Sequence, residues 1–308
     1  MDALSFEGRV AVVTGAGRGI GRAYALLLAS RGARVVVNDL GGSMQGTGTD
    51  AAVASSVAAE IEAAGGTALA DEQDVASTAG AEALVAATVA RFGRLDVLIN
   101  NAGIIKWAGL PGVDLDNLQR HLAVHVAGSF NTTRAAWPVM AEQQYGRIVM
   151  TTSSGVFGLP KNLSYATAKA GVIGLTRSIA TMSEAHGIRV NLIAPAAFTR
   201  MAGQAADAGP DDAGPDDAGA PMAPDLVAPL AAFLAHEACP VNGELYTAGA
   251  GRFARVFIAS TPGYVSTSPT IEDVAAHWDA INDEKGYVVP RDLPDWSTSF
   301  LSHLPTER

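Results

Sequence analysis

Near its N-terminus the chain reads Thr14-Gly15-Ala16-Gly17-Arg18-Gly19-Ile20-Gly21. The apolar run at 9–13 before this stretch predicts a buried strand, and the apolar spacing at 20–30 after it predicts a helix. Glycines between a strand and a helix allow a sharp turn and a close approach of the helix to the sheet. This stretch therefore predicts the first strand–turn–helix unit of an α/β fold.

The same alternation continues through most of the sequence. Apolar runs predict strands at 34–37, 97–99, 147–150, 190–193 and 244–247, and helical spacing predicts helices at 51–64, 81–92, 118–140, 165–186 and 226–235. Strands this uniformly apolar are typical of a parallel sheet covered on both faces. We therefore expect a Rossmann-type, doubly wound parallel sheet in a three-layer α/β/α domain over residues 1–250.

Two segments fall outside this alternation. Residues 208–219 read AGPDDAGPDDAG, a repeat that cannot bury apolar surface, so we expect a mobile acidic loop over 203–222. Residues 251–308 form a C-terminal extension with its own aromatic residues. We expect this extension to act as a lid or as an oligomer contact.

The composition narrows the classes of partner. The formal net charge of −10 argues against a nucleic-acid partner, because a duplex would repel such a surface. No apolar run approaches the roughly 20 residues of a membrane helix, and the N-terminus does not resemble a signal peptide. We expect a soluble, cytoplasmic protein with no membrane partner. The lone Cys239 and the spacing of the six histidines predict no metal site.

The glycine turn and the second strand together predict a dinucleotide site. Backbone N–H groups at a helix N-terminus bind pyrophosphate, so we expect contacts from Gly15, Gly17, Arg18, Gly19, Ile20 and Gly21. Asp39 ends the second strand and can accept hydrogen bonds from the adenine ribose, which favours NAD over NADP. Arg18 favours NADP, since an arginine here can bind a 2′-phosphate. A turn or helix-capping role for Asp39 is the structural alternative.

Four motifs resemble those of the short-chain dehydrogenase/reductase family. They are the turn with Thr14, Gly15, Gly19 and Gly21, the pair Asp74-Val75, the stretch Asn100-Asn101-Ala102-Gly103, and Tyr165-Ala166-Thr167-Ala168-Lys169. The resemblance covers residues 5–250. It implies hydride transfer between a nicotinamide and a small-molecule secondary alcohol or ketone. It also implies cofactor contacts from Asp74, Val75, Asn101, Ala102 and Gly103.

A narrower resemblance is to the (3R)-hydroxyacyl-CoA dehydrogenase domains of peroxisomal multifunctional enzymes. It rests on residues 35–42 with the glycine-rich loop after them, on Ala135-Ala136-Trp137, and on residues 145–148. This resemblance implies an acyl-CoA substrate. The acidic loop argues against CoA, because the CoA phosphates would meet its aspartates, so a terpenoid or steroid alcohol is the alternative.

Tyr165 and Lys169 are predicted to be the catalytic pair. They are four residues apart in a predicted helix and therefore share a face. A free phenol is a poor base at neutral pH, but a nearby ammonium lowers its pKa. Tyr165 could then accept the alcohol proton during oxidation and return it during reduction. The resemblance gives Lys169 a second role, contact with the nicotinamide ribose.

A hydroxyl group is also needed to bind the substrate oxygen. The family places a serine 13 residues before the tyrosine, and that count reaches Thr152. Counting forward from the strand at 147–150 favours Ser153 instead. Either hydroxyl could donate the hydrogen bond. We predict Ser153, with Thr152 as the alternative.

Further site residues follow from the resemblance. His125 stands where most relatives have an asparagine that holds a water in a proton relay, and a packing role for this histidine is the alternative. Pro195 and Thr199 match a loop that contacts the nicotinamide amide, although Ala196 replaces the usual glycine there.

A second class of function remains open at this stage, a non-catalytic NAD-binding sensor or scaffold. The presence of the tyrosine, the lysine and a hydroxyl favours the enzyme. The resemblance also implies a homo-oligomer, either a dimer or a tetramer.

Overall fold

A computed structural model describes residues 3–197, 199 and 221–304. Eight strands form one sheet: β1 (Val10–Thr14), β2 (Arg34–Asn38), β3 (Thr67–Asp71), β4 (Val97–Asn100), β5 (Gly146–Thr151), β6 (Ile188–Pro195), β7 (Leu245–Gly249) and β8 (Arg252–Val256). Their order is β3-β2-β1-β4-β5-β6-β7-β8. All pairs from β3 to β7 are parallel. The sheet and the helices on it confirm the predicted Rossmann-type α/β fold.

The helices alternate with the strands in the first unit of the chain. They are α1 (Gly19–Ser30), α2 (Ala51–Ala63), α3 (Thr78–Phe92), α4 (Leu115–His121), α5 (Gly128–Glu142), α6 (Leu163–Ser183) and α7 (Ala228–Leu234). The predicted helix at 118–140 is α4 and α5 joined by a π-helical turn, Leu122–Ala127. Asp50, Ser77 and Asp114 cap α2, α3 and α4 with side-chain oxygens. At α1 the Arg18 side chain makes no capping bond.

Two strands do not follow from the apolar pattern. Strand β3 carries two alanines and lacks a continuous apolar run, because it is half-exposed at the sheet edge and needs less apolar surface there. Strand β8 carries two arginines and follows β7 after Ala250-Gly251. Both residues of that connection have positive φ, 49° and 74°, as in the two-residue turns of β-hairpins.

The hydrophobic core lies where the helices cover the sheet. The central strands β1 and β4 are buried along their whole length. Because β1 pairs with both β2 and β4, the chain crosses the sheet in opposite directions on either side of β1. In such sheets a crevice opens at this point, beyond the carboxyl ends of the strands.

The chain divides into two compact units between Arg255 and Val256. The second unit contains α8 (Ile271–Ala276), α9 (Trp278–Asn282) and α10 (Leu293–Phe300). Within it, the rings of Tyr264 and His277 stack with centroids 3.8 Å apart, and those of Trp296 and Phe300 stack at 4.5 Å. The acidic repeat at 208–219 lies outside the described residues.

In the described part of the chain, the helices are too short or too polar to cross a lipid bilayer.

Candidate active site

A cleft of about 380 Å³ lies beyond the carboxyl ends of β1, β2 and β4. It brings together most of the residues predicted to bind a cofactor: Gly15, Arg18, Gly19, Ile20, Gly21, Asp39, Asp74, Val75, Asn101, Ala102, Gly103 and Thr199. Gly17, Tyr165, Lys169 and Pro195 are not part of its lining. The glycine turn, the pair Asp74-Val75 and the stretch Asn101–Gly103 therefore converge on one crevice.

The glycines of the turn are required by close contacts within the protein. Gly15 has a φ of +63°, and a Cβ there would lie 2.8 Å from the Cα of Ala102. A Cβ on Gly21 would lie 2.2 Å from the Gly15 carbonyl oxygen. Gly17 makes room for Val53 rather than for the cleft. Its N–H donates to the Asp39 carboxylate, and its contact with phosphate stays a prediction.

Asp39 is fixed at the edge of the cleft. One carboxylate oxygen accepts the Gly17 N–H at 2.9 Å and the other accepts the Gly41 N–H at 2.8 Å. The Arg18 guanidinium donates to the Gly42 carbonyl at 3.2 Å. The carboxylate thus projects a fixed negative charge at the end of β2, while a loop carbonyl already occupies one N–H of Arg18.

Asn101 ties β4 to the glycine turn. Its side-chain amide donates to the carbonyl oxygens of Thr14 and Gly15, both at 3.0 Å. The Thr14 hydroxyl accepts the backbone N–H groups of Asn101 and Ala102 at 3.0 Å each. The Asn101 side chain therefore shapes the cleft and has its donors committed to the protein.

The side of the cleft next to β3 is held by a buried amide. The Asn131 side chain donates to the carbonyls of Val75 and Ala76, at 3.3 and 3.1 Å. The Asp74 carboxylate accepts the Ala76 N–H at 2.9 Å. Asp74 and Val75 are consequently presented to the cleft by a rigid turn after β3.

Tyr165 and Lys169 lie one turn apart near the start of α6. The Lys169 side chain is buried, and its ammonium lies 5.5 Å from the centroid of the Tyr165 ring. The ammonium donates to the Thr151 carbonyl at 2.9 Å, at the carboxyl end of β5. The helical spacing and the end of one strand together fix the position of the Lys169 nitrogen.

The structure separates the two candidate hydroxyl groups. Thr152 is buried, and its hydroxyl donates to the Lys169 backbone carbonyl at 2.8 Å. The Ser153 oxygen accepts the Gly155 N–H at 3.0 Å, which leaves the hydroxyl hydrogen free to donate. The Ser153 side chain also lies near the Tyr165 phenol and lowers its pKa. Of these two residues, Ser153 is the one that faces the tyrosine.

Burial sets the ionisation of the pair. It raises the pKa of the Tyr165 phenol above its usual value, and the Ser153 hydrogen bond acts in the opposite direction. Burial also lowers the pKa of Lys169 to about 7. Both shifts favour the neutral forms, because an apolar environment disfavours any charge that lacks a partner.

His125 lies against the Tyr165 ring, with centroids 5.3 Å apart and the planes nearly perpendicular. Its Nε2 atom lies 2.9 Å from the Ile104 carbonyl oxygen. The same nitrogen lies 3.3 Å from the Ile104 backbone nitrogen. The other ring atom, Nδ1, is buried and has no hydrogen-bond partner among the described residues. Burial and the nearby Lys169 charge keep the pKa of His125 well below its usual value.

His121 differs from His125 in having both ring nitrogens paired. Nδ1 lies 2.7 Å from the Asn117 carbonyl, and Nε2 accepts the Lys106 N–H at 3.2 Å. The two imidazole rings stack with centroids 6.0 Å apart. Both histidines fall at the junction of α4 and the π turn. Within the described ranges, no group of three His, Cys, Asp or Glu side chains could hold a metal ion.

Pro195 and Thr199 differ in whether they line the cleft. Pro195 ends β6, and the next residue, Ala196, donates its N–H to the Ala248 carbonyl at 2.8 Å. Thr199 reaches the cleft lining. Residues 198 and 200 beside it lie outside the described residues.

One part of the cleft was not singled out from the sequence. Ser43, Met44 and Gly46 from the loop after β2, and Arg120 from α4, also line it. The four glycines at 41, 42, 46 and 48 were a signal for an unusual loop. Arg120 gave no signal, because an exposed arginine on a helix is common.

Comparison with known proteins extends these observations. A model of the short chain dehydrogenase family matches residues 9–209. A short-chain type dehydrogenase/reductase of Mycobacterium tuberculosis is 40% identical over 91% of this chain and 96% of its own length. The peroxisomal multifunctional enzyme type 2 of Mus musculus is 40% identical over 98% of this chain, which spans 40% of that protein.

Two solved structures resemble this fold over most of the chain. The multifunctional enzyme type 2 of Drosophila melanogaster has a TM-score of 0.78 and 33% identity, covering 97% of this chain and 50% of its own. A 7α-hydroxysteroid dehydrogenase in complex with NADH and 7-oxo glycochenodeoxycholic acid has a TM-score of 0.69 and 28% identity, covering 82% of this chain and 98% of its own.

The fold, the glycine turn and these similarities define an oxidoreductase that binds a nicotinamide cofactor and acts on a small-molecule substrate. The chain belongs to the short-chain dehydrogenase/reductase family.

Proposed function

We propose that this enzyme uses NAD(H) to interconvert a secondary alcohol and a ketone, with Tyr165 as the acid/base. One observation supports this assignment most strongly. Ser153, whose hydroxyl hydrogen is free to donate, lies beside the Tyr165 phenol and lowers its pKa, and the Lys169 nitrogen lies 5.5 Å from the centroid of the Tyr165 ring. A phenol, a donor hydroxyl and a cation so arranged can bind one oxygen atom and exchange one proton with it.

Ser153 and Tyr165 have complementary roles in this proposal. The Ser153 hydroxyl, held by the Gly155 N–H, donates to the substrate oxygen and orients it toward the phenol. In oxidation the Tyr165 phenolate removes the proton of the alcohol. In reduction the neutral phenol donates a proton to the carbonyl oxygen.

Lys169 controls the charge of the phenol. Its protonated form favours the phenolate, because an ammonium stabilises a nearby negative charge. Burial brings the pKa of Lys169 to about 7, so the group can gain or lose a proton near neutrality. The Thr151 carbonyl fixes the nitrogen while its remaining N–H groups stay available for a ribose hydroxyl.

His125 offers a route for the proton beyond Lys169. Its buried Nδ1 has no hydrogen-bond partner among the described residues, and the positive charge of Lys169 acts on the same ring. A water or the Lys169 ammonium could donate to that nitrogen after a small movement. We assign His125 to the relay side of the site rather than to packing alone, because His121 beside it has both nitrogens paired.

The cleft residues fit a dinucleotide. Gly15, Gly19 and Gly21 bring the backbone to the cleft lining beside the N-terminus of α1, which suits a pyrophosphate. The Asp39 carboxylate suits the adenine ribose and disfavours a 2′-phosphate, which supports NAD over NADP. We assign the nicotinamide amide to Thr199, which lines the cleft, and to Pro195. When bound, the cofactor supplies the hydride acceptor or donor.

We propose a 3-hydroxyacyl thioester as the substrate class, because the similarity to the multifunctional enzymes covers nearly the whole chain. A steroid alcohol is the second candidate, since a structurally similar dehydrogenase was solved with a bile-acid ketone.

The proposal is tested with purified enzyme, NAD and NADP, and a panel of 3-hydroxyacyl-CoA, steroid and terpenoid alcohols. Reduced-cofactor absorbance reports turnover. NAD-linked turnover should fall by about 10³-fold or more in Tyr165→Phe, while NADH binding by fluorescence stays unchanged. Tyr246→Phe, a change at a half-buried tyrosine on β7, is the matched control. Equal turnover in wild type and Tyr165→Phe would refute the assigned role of the phenol.

A further inference from the structure

The loop between β2 and α2 folds back over the cofactor cleft. We call residues 40–50 the clasp loop. The Asp50 N–H donates to the Leu40 carbonyl at 3.0 Å and closes its base. Inside it, the Ser43 N–H donates to the Thr47 carbonyl at 2.8 Å, and the hydroxyls of these two residues lie 2.8 Å apart. The clasp loop is thus an ordered structure with its own hydrogen bonds.

The tip of the clasp loop docks on the opposite wall of the cleft. The Ile105 N–H donates to the Met44 carbonyl at 2.8 Å. Gly46 packs so closely on this wall that a Cβ there would lie 2.9 Å from a methyl group of Ile104. Because the loop leaves from beside Asp39 and ends on the segment after β4, it bridges the two sides of the cleft.

Arg120 is the side chain that secures this contact. Its guanidinium donates to the Gly46 carbonyl at 2.9 Å and lines the cleft. On the other side, Arg18 holds the Gly42 carbonyl at 3.2 Å. Two guanidinium groups from different parts of the chain therefore donate hydrogen bonds to the backbone of the clasp loop. Arg120 is the exposed member of the pair and the one that joins the loop to α4.

We propose that Arg120 is a positioning residue that latches the clasp loop over the bound dinucleotide and sets its rate of release. This inference rests on the proposed cofactor site. A dinucleotide lying between the glycine turn and Val75 would have residues of the clasp loop along its edge, so it leaves only when the tip detaches from Ile105. Loss of the Arg120 hydrogen bond makes detachment more frequent. Arg120 contacts no reacting atom in this proposal.

The test compares Arg120→Ala, Arg120→Lys and a control, Arg134→Ala. Arg134 is an equally exposed helical arginine whose partner is Glu82. NADH dissociation is followed by stopped-flow fluorescence with excess NAD as the displacing ligand. We expect dissociation to be about tenfold faster in Arg120→Ala, with partial recovery in Arg120→Lys and no change in Arg134→Ala. Arg134→Ala should also leave the rate of a single hydride-transfer turnover unchanged.

A second measurement needs no cofactor. The Ile105 amide is hydrogen-bonded to Met44 only while the tip is docked, so its hydrogen exchange reports opening. Faster exchange at Ile105 in free Arg120→Ala, with unchanged melting temperature, is the expected result. Unchanged exchange and unchanged NADH release, in a wild type that binds NADH, would overturn the latch alone. A wild type that binds neither NADH nor NADPH would overturn the proposed cofactor site as well.

Discussion

The Thr152 hydroxyl donates a 2.8 Å hydrogen bond to the backbone carbonyl of Lys169. This bond joins the end of β5 to α6 and consumes the only proton that the Thr152 side chain can donate. The neighbouring Ser153 oxygen accepts from the Gly155 N–H and keeps its own proton free. The proposed mechanism therefore assigns substrate binding to Ser153, whereas the Thr152 hydroxyl is committed to joining β5 and α6.

Ser153→Ala should impair both substrate binding and ionisation of Tyr165. The Ser153 hydrogen bond lowers the pKa of the phenol, so its loss raises that pKa. Alcohol oxidation needs the phenolate, and its pH–rate profile should therefore move to higher pH, with kcat/KM lower by about 10²-fold. Ser154→Ala, a change at the exposed next residue, should leave the profile in place. A Ser153→Ala profile that coincides with that of the wild type would contradict this role.

Asp39→Asn should relax the choice of cofactor. The amide oxygen can still accept a backbone N–H, but the negative charge that repels a 2′-phosphate is gone. We expect the ratio of kcat/KM for NADP to that for NAD to rise by about 10- to 100-fold. Asp116→Asn, on the exposed first turn of α4, is the control. A ratio that does not change would assign Asp39 to turn structure only.

Lys169→Met should stabilise the protein while abolishing turnover. The folded pKa of about 7 lies below the unfolded value near 10.4, so at neutral pH the unfolded chain binds the proton more tightly. The cost of burying the protonated Lys169 is therefore at its full size below pH 7. It decreases as the pH rises from 7 toward 10, so the wild type gains stability over that range. We expect the variant to melt about 2–6 °C higher at pH 7 and this advantage to shrink by pH 9.5. An advantage that is independent of pH would contradict the buried-charge explanation.

Asp96→Ala should destabilise the fold without affecting the cleft. The Asp96 carboxylate is fully buried just before β4, at the amino ends of the strands and therefore opposite the cleft. It accepts hydrogen bonds from Arg9, Arg94 and the Val10 N–H. Its removal leaves two guanidinium groups without that partner, at a cost of about 3–5 kcal/mol. Glu237→Ala removes an exposed partner of Arg9 and should cost less than about 1 kcal/mol. Chemical denaturation gives both values, and equal losses would refute the argument.

Much of the fold could be predicted because the strands that position the site are its most apolar segments. Strands β1, β2 and β4 are valine-, leucine- and isoleucine-rich, and the glycine turn marks where β1 ends. Strand β3 could not be recognised, because its short apolar pattern with two alanines is compatible with a helix or a strand. The candidate site residues were predicted from motifs, and the fold brings most of the predicted cofactor-binding residues to one crevice.

The details of the site depend on contacts that a linear pattern does not contain. Counting residues could not separate Thr152 from Ser153, since the decision depends on which hydroxyl meets the Lys169 carbonyl. The sequence assigned Gly17 to phosphate binding, but it gave no sign that Val53, on a helix more than thirty residues later, also requires a glycine there. Arg120 acts through a backbone carbonyl and therefore has no recognisable partner in the sequence.

The π turn at Leu122–Ala127 has a consequence for how this helix can change in evolution. A π turn contains one residue more than the matching α turn, and each residue rotates a helix by about 100°. Deleting one residue there would rotate α4 relative to α5. His121 on α4 would then point in a different direction relative to Thr132 on α5, which bonds Asn100. Single-residue insertions and deletions should therefore be rarer in this helix than substitutions, so that its length is inherited more faithfully than its composition.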